Sequence, residues 1–351
     1  MRILMITGSK PPDFCGIGDY ADMLTRALNA AGAPTELFHT SDWRPRRFPA
    51  IARALSASRA DLFHIQYPTL GYRRSMVPVL MHLAVLSAPW VVSLQEFSVY
   101  RKIRQMALLP FALQDAVVFT NGIERERFKR AAPWMRAPAE VIMIGSNIPV
   151  GKTRERDVRV VAYFGQVSPD KNLEDFVVLA RQARAADAPF RFRIIGGIPA
   201  KFREYAVPFL AAAHDAGIET ELDLSPEAVA DRLANVGTVY LPFPDGVSIK
   251  RSSLMAAMLN GTVVLAPYGV LTDDWLRGFV VETPAPADAL AALRRLDGDT
   301  TEREAIRART IEAARELDWG VVAQRHIALY RTLIAQYAER HHRTDNRAER
   351  A

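Results

Sequence analysis

The chain has 351 residues, 49% hydrophobic and 24% charged, with a single cysteine. This is globular composition at a length above what one core usually serves, so two domains are expected, and one cysteine excludes a disulfide framework or a cysteine-built zinc site. Lys and Arg number 45 against 39 Asp and Glu; residues 1–150 hold 18 and 11 of them, leaving 27 and 28, so the first half carries +7 and the remainder −1.

Such asymmetry suits an acidic partner for the first half: nucleic acid, an anionic membrane surface or a phosphorylated ligand. Scattered solvated arginines are the plainer reading. Aromatic residues are not interleaved with the basic clusters, which argues against nucleic acid. The opening MRILMITGSKPPD has too short an apolar run for a signal peptide. The longest apolar stretch, around Met76 to Val92, is broken by Pro78, His82 and Pro89, so no membrane helix is expected and the protein reads as cytoplasmic.

In chain order, Ile3–Thr7, Pro34–His39, Asp61–Ile65, Trp90–Leu94, Ala116–Thr120 and Val141–Ile144 have the β-branched, continuously apolar character of buried strands. Helical periods over Asp19–Ala31, Tyr72–Leu86 and Ile123–Arg130 alternate with them. The polar SNIPVGKTRERD then reads as a linker. Beyond it, strands are predicted over Val158–Phe164, Phe190–Ile195, Glu219–Leu222, Thr238–Leu241 and Val263–Ala266. Helices are predicted over Asn172–Ala186, Lys201–Ala216, Pro226–Ala234, Ser252–Asn260, 286–296, 301–317 and 320–339. Strand–helix alternation of this kind implies parallel sheets covered on both faces, with ligands at the carboxyl ends of the strands.

Several junctions carry chemistry. GSKPPDFCGIGDY sets Gly16 and Gly18 before a helix whose first turn holds Asp19. Glycines admit an anion to a helix start, but a plain loop with Asp19 as cap fits as well. GSNIPVGKT is not a P-loop, because five residues separate Gly145 from Gly151 and Pro149 lacks an N–H. Asp297 and Asp299 read as a solvated turn rather than a metal motif. FGQVSPDKNLEDF places Gly165 at a strand end and Lys171 at a helix start, where an ammonium can neutralise phosphate. Gly196 and Gly197 leave room for a flat base or ribose at the next strand end. In YLPFPDGVSIKRSSLMAAMLNGTVVLAP, Gly246–Ser248 leads to Lys250, Arg251, Ser252 and Ser253 at an apolar helix start, an anion site by charge, hydroxyls and dipole.

Together these segments, with DLFHIQY, VVSLQEFS, AVVFTNGIERERF, VIMIGSNIP and LDWGVVAQRHIALYRTLI, resemble the retaining glycosyltransferases of family 4 over nearly the whole chain. The resemblance implies an α/β GT-B fold, two doubly wound Rossmann-like domains with parallel sheets facing across a cleft. Residues 1–150 would bind the acceptor, 151–318 the nucleotide-sugar, and a helix over 319–338 would cross back to the first domain. Residues 339–351, poor in apolar content, read as a disordered tail.

The same resemblance implies roles. Lys171 would contact the donor diphosphate, with Gln166 standing where the family has arginine. Gly16 would meet the donor diphosphate from the first domain, Gly18 and Gly165 are further donor-binding candidates, and Gly196, Gly197 and the Thr220–Leu224 stretch, with Leu222 and Leu224, would surround the base. Gly246, Val247, Ser248, Lys250, Arg251, Ser252 and Ser253 would form the donor-sugar and phosphate loop. The paired glutamates usual in the family fall at Ser248 and Ala256, or at Ile249 in a subgroup, leaving Asp245 as the best candidate carboxylate. The family histidine is replaced by Gln95; Glu96, Arg73 and Arg74 are acceptor-side candidates, although a structural role suits Glu96 equally.

The implied reaction is retaining transfer from a UDP-, GDP- or dTDP-sugar, without metal or cofactor, to a glycan or lipid-linked acceptor. Basic clusters would face an anionic membrane surface. The replaced family residues keep a second reading open: a non-catalytic GT-B protein that binds nucleotide or glycan, or supports a partner transferase.

Overall fold

The computed structural model describes residues 1–13, 15–152 and 155–348, with side chains through residue 340. It divides into two compact units: Met1–Ile144 joined by the segment from Trp319 onward, and Gly145–Asp318.

In the first unit, β1 (Ile3–Thr7), β2 (Thr35–His39), β3 (Leu62–Tyr67), β4 (Trp90–Leu94), β5 (Ala116–Phe119) and β6 (Ala139–Val141) form a parallel sheet of order β2-β1-β3-β4-β5-β6. Helices α1 (Gly16–Ala30), α2 (Phe48–Ala57), α3 (Val77–Leu80), α4 (Lys102–Leu108) and α5 (Gly122–Ala131) connect them. Successive strand side chains point to opposite faces, so Leu4, Ile6, Val92 and Val117 enter one core while Ile3, Met5, Val91 and Val118 enter the other.

In the second unit, β7 (Asp157–Gln166), β8 (Arg191–Gly197), β9 (Ile218–Leu222), β10 (Val236–Tyr240), β11 (Val263–Ala266) and β12 (Val280–Glu282) are again all parallel, in the order β12-β11-β10-β7-β8-β9. Its helices are α6 (Leu173–Ala185), α7 (Arg203–Asp215), α8 (Pro226–Asn235), α9 (Ser252–Leu259), α10 (Pro286–Gly298) and α11 (Thr300–Ala314). The direction of winding reverses between β7 and β10, which is where a doubly wound sheet leaves a crevice at its carboxyl edge.

The chain then returns to the first unit as α12 (Trp319–Ala348). The helix buries Val322, Ala323, Ile327, Tyr330 and Leu333 against Tyr20, Ala21, Leu24 and Leu28 of α1 and the sheet. It continues past residue 338, where the sequence reading ended it, because extending an existing helix needs only propagation, not a new nucleus. Residues 349–351 lie outside the described residues.

A polar seam runs through this apolar contact. His64 Nδ1 lies 2.5 Å from the Tyr330 hydroxyl and Nε2 lies 2.9 Å from Ser93 Oγ. His326 Nδ1–H donates to the Val322 carbonyl at 2.8 Å, and its ring centroid is 5.7 Å from that of His64. Burial holds both imidazoles neutral, His64 well below its ordinary value and His326 pushed down to about 4. Unfolded histidine titrates near 6.5. As pH falls below that, the unfolded chain takes up protons the folded unit refuses, so stability declines toward about pH 4. The His326 share of that decline is of order 3 kcal/mol. Urea titrations at pH 7 and pH 5 should therefore show a lower midpoint at pH 5, and His326→Leu should flatten the difference; equal slopes with pH in both proteins would contradict this account.

Four local expectations need correction. Tyr72–Leu86 is not one helix: a 3-10 turn at Leu70–Tyr72, the short α3 and a 3-10 turn at Met81–Leu83 replace it. Arg73, at φ +52°, breaks the helical path, and Pro78 starts the next turn. The sixth strand is two to three residues earlier than Val141–Ile144, since Val117 pairs with Ala139 in register. Helix α1 begins at Gly16, so Asp19 sits inside its first turn and does not cap it. The presumed linker is fastened to the second unit: Gly151 N–H donates to Asn260 Oδ1 at 2.7 Å, and Asn260 Nδ2 donates to the Pro149 carbonyl at 3.0 Å. Its residues Thr153 and Arg154 lie outside the described residues.

Candidate nucleotide-binding site

The carboxyl ends of β7, β8, β9 and β10 open on a cavity of about 520 Å³ in the second unit. Its lining combines two kinds of chemistry. It includes Lys171, Lys250, Arg251, Ser252 and Ser253, with Lys171 and Arg251 over the Phe243 ring, and Gly196 and Gly197 beside Asp223, together with Leu224, Pro226, Val229 and Ile148.

The floor is made by glycine. Gly165 and Gly196 are register partners in the β7–β8 pair, and a Cβ on Gly196 would stand 1.8 Å from the Gly165 carbonyl oxygen. No side chain fits there without spreading the strands. The pair continues as Val167 N–H donates to the Gly197 carbonyl at 2.9 Å. Asp223 N–H donates to the Gly196 carbonyl at 2.7 Å, and Asp223 adopts a left-handed backbone (φ +55°) that turns the chain toward α8. Ser225 then caps α8 by accepting from Ala228 N–H at 3.2 Å, with Pro226 in the first turn.

The cationic part of the lining is held by packing. The buried Phe243 ring has the Arg251 guanidinium 4.5 Å and the Lys171 ammonium 5.9 Å from its centroid, contacts worth about 0.5–1 kcal/mol each. Helix α9 starts at Ser252 with no side-chain cap on its first N–H groups. Those groups and the dipole favour an anion beside the two cations. Lys171 pairs with Asp170 at 2.6 Å, and this contact, with the Ser168 hydroxyl at 2.6 Å, holds the Asp170 carboxyl down at about 2. An incoming phosphate must therefore compete with Asp170 for the ammonium. Asp170→Asn should tighten nucleoside diphosphate binding by about two- to fivefold, the scale of a partly exposed ion pair, as read by calorimetry. Weaker binding in that variant would mean Asp170 orients Lys171 instead of masking it.

The loop before α9 is rigid. Gly246 has φ +82°, and a Cβ there would meet Gly269 N at 2.3 Å. Val247 N–H donates to the Pro267 carbonyl at 2.9 Å, and Thr272 Oγ1 donates to the Val247 carbonyl at 2.7 Å.

Of the residues singled out from sequence, Gly165, Gln166, Lys171, Gly196, Gly197, Leu224, Lys250, Arg251, Ser252 and Ser253 all line this one cavity. Leu222, in β9, and Gly246, Val247 and Ser248 do not. Ser248, Ile249 and Ala256 are buried. No carboxylate stands at any of these three positions, and Asp245 is exposed and pairs with Arg251 outside the cavity lining. Of the Thr220–Leu224 stretch expected around the base, Asp223 and Leu224 line the cavity, while Tyr163, Phe164 and Phe243 are lining residues that the sequence reading did not single out. The place of Asp223 between the end of β9 and the Ser-Pro start of α8 is the signal the sequence carries. Asp297 pairs with Arg159, and Asp299 caps α11. Among the described residues, no three His, Cys, Asp or Glu side chains cluster as a metal ion would require.

In the first unit, Gly18 has a packing reason, because a Cβ would meet the Ser9 carbonyl at 2.7 Å; Gly16 has nothing within 4 Å. Gln95 is buried, its Nε2 3.4 Å from Gln66 Oε1, within a chain that reaches His64 through a Gln66 contact of 3.2 Å. Glu96 is half-buried, and Arg73 and Arg74 are exposed.

No protein-family model matches the chain, and no curated protein matches it in sequence. Its backbone is similar to solved structures over nearly its full length. Alr3699/HepE of Anabaena, solved with UDP, is 14% identical with a TM-score of 0.68, covering 95% of this chain and 100% of that one. The fold is GT-B. A glycosyltransferase of Rickettsia africae ESF-5 is 11% identical at a TM-score of 0.66, over 95% of this chain and 98% of its own. Sucrose-phosphate synthase (tll1590) of Thermosynechococcus elongatus is 17% identical at 0.63, over 96% and 100%.

Proposed function

We propose that the chain transfers a sugar from a nucleotide-sugar to a glycan or lipid-linked acceptor, with retention and without metal or cofactor. The observation that carries this reading is the cavity's lining: cations beside a helix start suit a diphosphate, and glycines at two strand ends leave space for a base and ribose. The similar Anabaena protein was solved with UDP and with UDP-glucose, which makes uridine donors the first to test.

In the proposed step, the bond from the sugar's anomeric carbon to the diphosphate oxygen breaks, and a bond to the acceptor oxygen forms on the same face. Charge develops on the leaving diphosphate, where Lys171, Lys250, Arg251 and the α9 N–H groups would stabilise it. The acceptor proton passes to the departing phosphate, so no protein base is required. With Gln166 in place of an arginine, Arg251 is assigned the second cation's role.

The test is turnover. Nucleotide-sugars with uracil, guanine and thymine bases are incubated with the protein and a lipid-linked acceptor pool, and release of free nucleoside diphosphate is followed. Acceptor-dependent release from one donor is expected. Tight diphosphate binding with no release across the panel would favour the non-catalytic reading, for which the absence of a carboxylate at residues 248, 249 and 256 is the motive.

A further inference from the structure

Of the fifteen large apolar side chains exposed among the described residues, eight lie between Leu70 and Leu113. In that stretch the chain crosses one face of the first sheet twice, from β3 to β4 and from β4 to β5. Both crossings send their inner residues into the same core: Val77, Val79 and Met81 from the first, Leu108, Phe111 and Ala112 from the second. They lie side by side, since Gln114 Nε2 is 2.9 Å from His82 Nδ1 and Arg104 Nη1 donates to the Arg74 carbonyl at 3.5 Å.

Their outer residues therefore share one surface. Leu83 is 60% exposed, Ile103 80%, Met106 67% and Leu113 66%. Ile103 and Met106, three apart on α4, form one outward ridge with Lys102 beside it. A monomer's surface does not usually concentrate large apolar groups in this way. The next crossing, from β5 to β6, shows the ordinary pattern: α5 carries Glu124 and Glu126 among its basic residues, and Trp134 is the one large apolar side chain exposed between the two strands among the described residues.

Charge selects the occupant. Between residues 70 and 113 the exposed cations Arg73, Arg74, Arg101 and Lys102 stand against a single carboxylate in the sequence, Glu96, while Arg104 is turned to the Tyr67 hydroxyl and the Arg74 carbonyl. Lone-sign cations bordering aliphatic side chains match a layer of lipid phosphates over acyl chains. The exposed apolar groups here are aliphatic, without the Trp or Tyr anchors that dominate protein interfaces. Among the described residues no helix is long and apolar enough to cross a membrane, so any attachment by this surface is interfacial.

We propose that the outer surface of residues 70–113 docks on an anionic lipid bilayer. Ile103, Met106, Leu83 and Leu113 enter the headgroup boundary, and the basic residues contact lipid phosphates. The surface goes beyond the charge arithmetic in naming an apolar insertion face, and it stands whether or not the chain transfers sugar.

Co-sedimentation with phosphatidylcholine vesicles, with and without phosphatidylglycerol, tests it on the full chain. The wild type should bind vesicles containing phosphatidylglycerol, and added salt should weaken the binding. Ile103→Glu with Met106→Glu should lower the apparent partition coefficient at least about tenfold. Arg101→Ala with Lys102→Ala should lower it several-fold and reduce the salt dependence. Wild-type far-ultraviolet circular dichroism and urea midpoints in both variants would show that the first unit remains folded. Vesicle binding by the glutamate variant equal to wild type would overturn the proposal. So would a wild type that ignores vesicles but self-associates in sedimentation velocity through this face. Vesicle binding without sugar turnover would leave the surface standing and remove only the transferase reading.

Discussion

Gly196→Ala should lose about 3 kcal/mol of stability in the second unit and abolish nucleotide binding with it. The added methyl would stand 1.8 Å from the Gly165 carbonyl oxygen, which belongs to the neighbouring strand and cannot swing aside as a side chain could. Overpacking a well-filled interior typically costs 1–3 kcal/mol even where side chains can yield. Here the alternative is to part β7 from β8 at the register pair that floors the cavity. Urea denaturation should show a lower midpoint, and the floor should no longer support a ligand even at low temperature where the variant stays folded. Gly16→Ala is the matched control: with nothing within 4 Å and a position in the first turn of α1, it should leave stability within a few tenths of a kcal/mol. An equal loss in both variants would show that the strand contact is not the cause.

The second large effect concerns the cations. Hydrogen bonds to charged groups contribute about 1.5–3 kcal/mol each, so Arg251→Met should weaken nucleoside diphosphate binding by roughly ten- to a hundredfold. Lys171→Met should act similarly, since each cation already has a carboxylate partner that a phosphate must displace, Asp170 for Lys171 and Asp245 for Arg251. The two share the Phe243 ring, so their effects should not add. Both losses should shrink in high salt. Arg277→Met is the control, since Arg277 pairs with Asp274 and lies outside the cavity lining. Calorimetry showing full affinity in Arg251→Met would move the phosphate away from α9.

Much of the fold was legible because both sheets are parallel and covered on two faces. Strands such as Trp90–Leu94 and Val263–Ala266 are unbroken apolar runs, and their bounds match the sequence reading. Regions controlled by single backbone conformations were not legible. Arg73 at φ +52° divides what looked like one helix, and nothing in the run from Tyr72 to Leu86 announces that an arginine adopts this conformation. Helix α2 was passed over because its apolar stripe is only Ile51 and Leu55 deep.

The candidate site divides along the same line. The cations and glycines could be found because they occupy strand-to-helix junctions, whose order in the chain fixes which edge of the sheet they reach. Asp223 and Phe243 reach the cavity through a left-handed turn and through packing, and spacing alone encodes neither. Asp245 shows the converse. Its place before Gly246 suggested a sugar-holding carboxylate, whereas its side chain turns to Arg251 at the exposed side of the loop.

The central claim is that the second unit's cavity is a nucleoside diphosphate site. A crystal structure of the full chain soaked with UDP, and in parallel with GDP, tests it most directly. The diphosphate should lie within hydrogen-bond reach of Lys171, Arg251 and the α9 N–H groups, with the base against Gly196 and Gly197. A nucleotide bound elsewhere, or an empty cavity at millimolar concentrations of both, would contradict it.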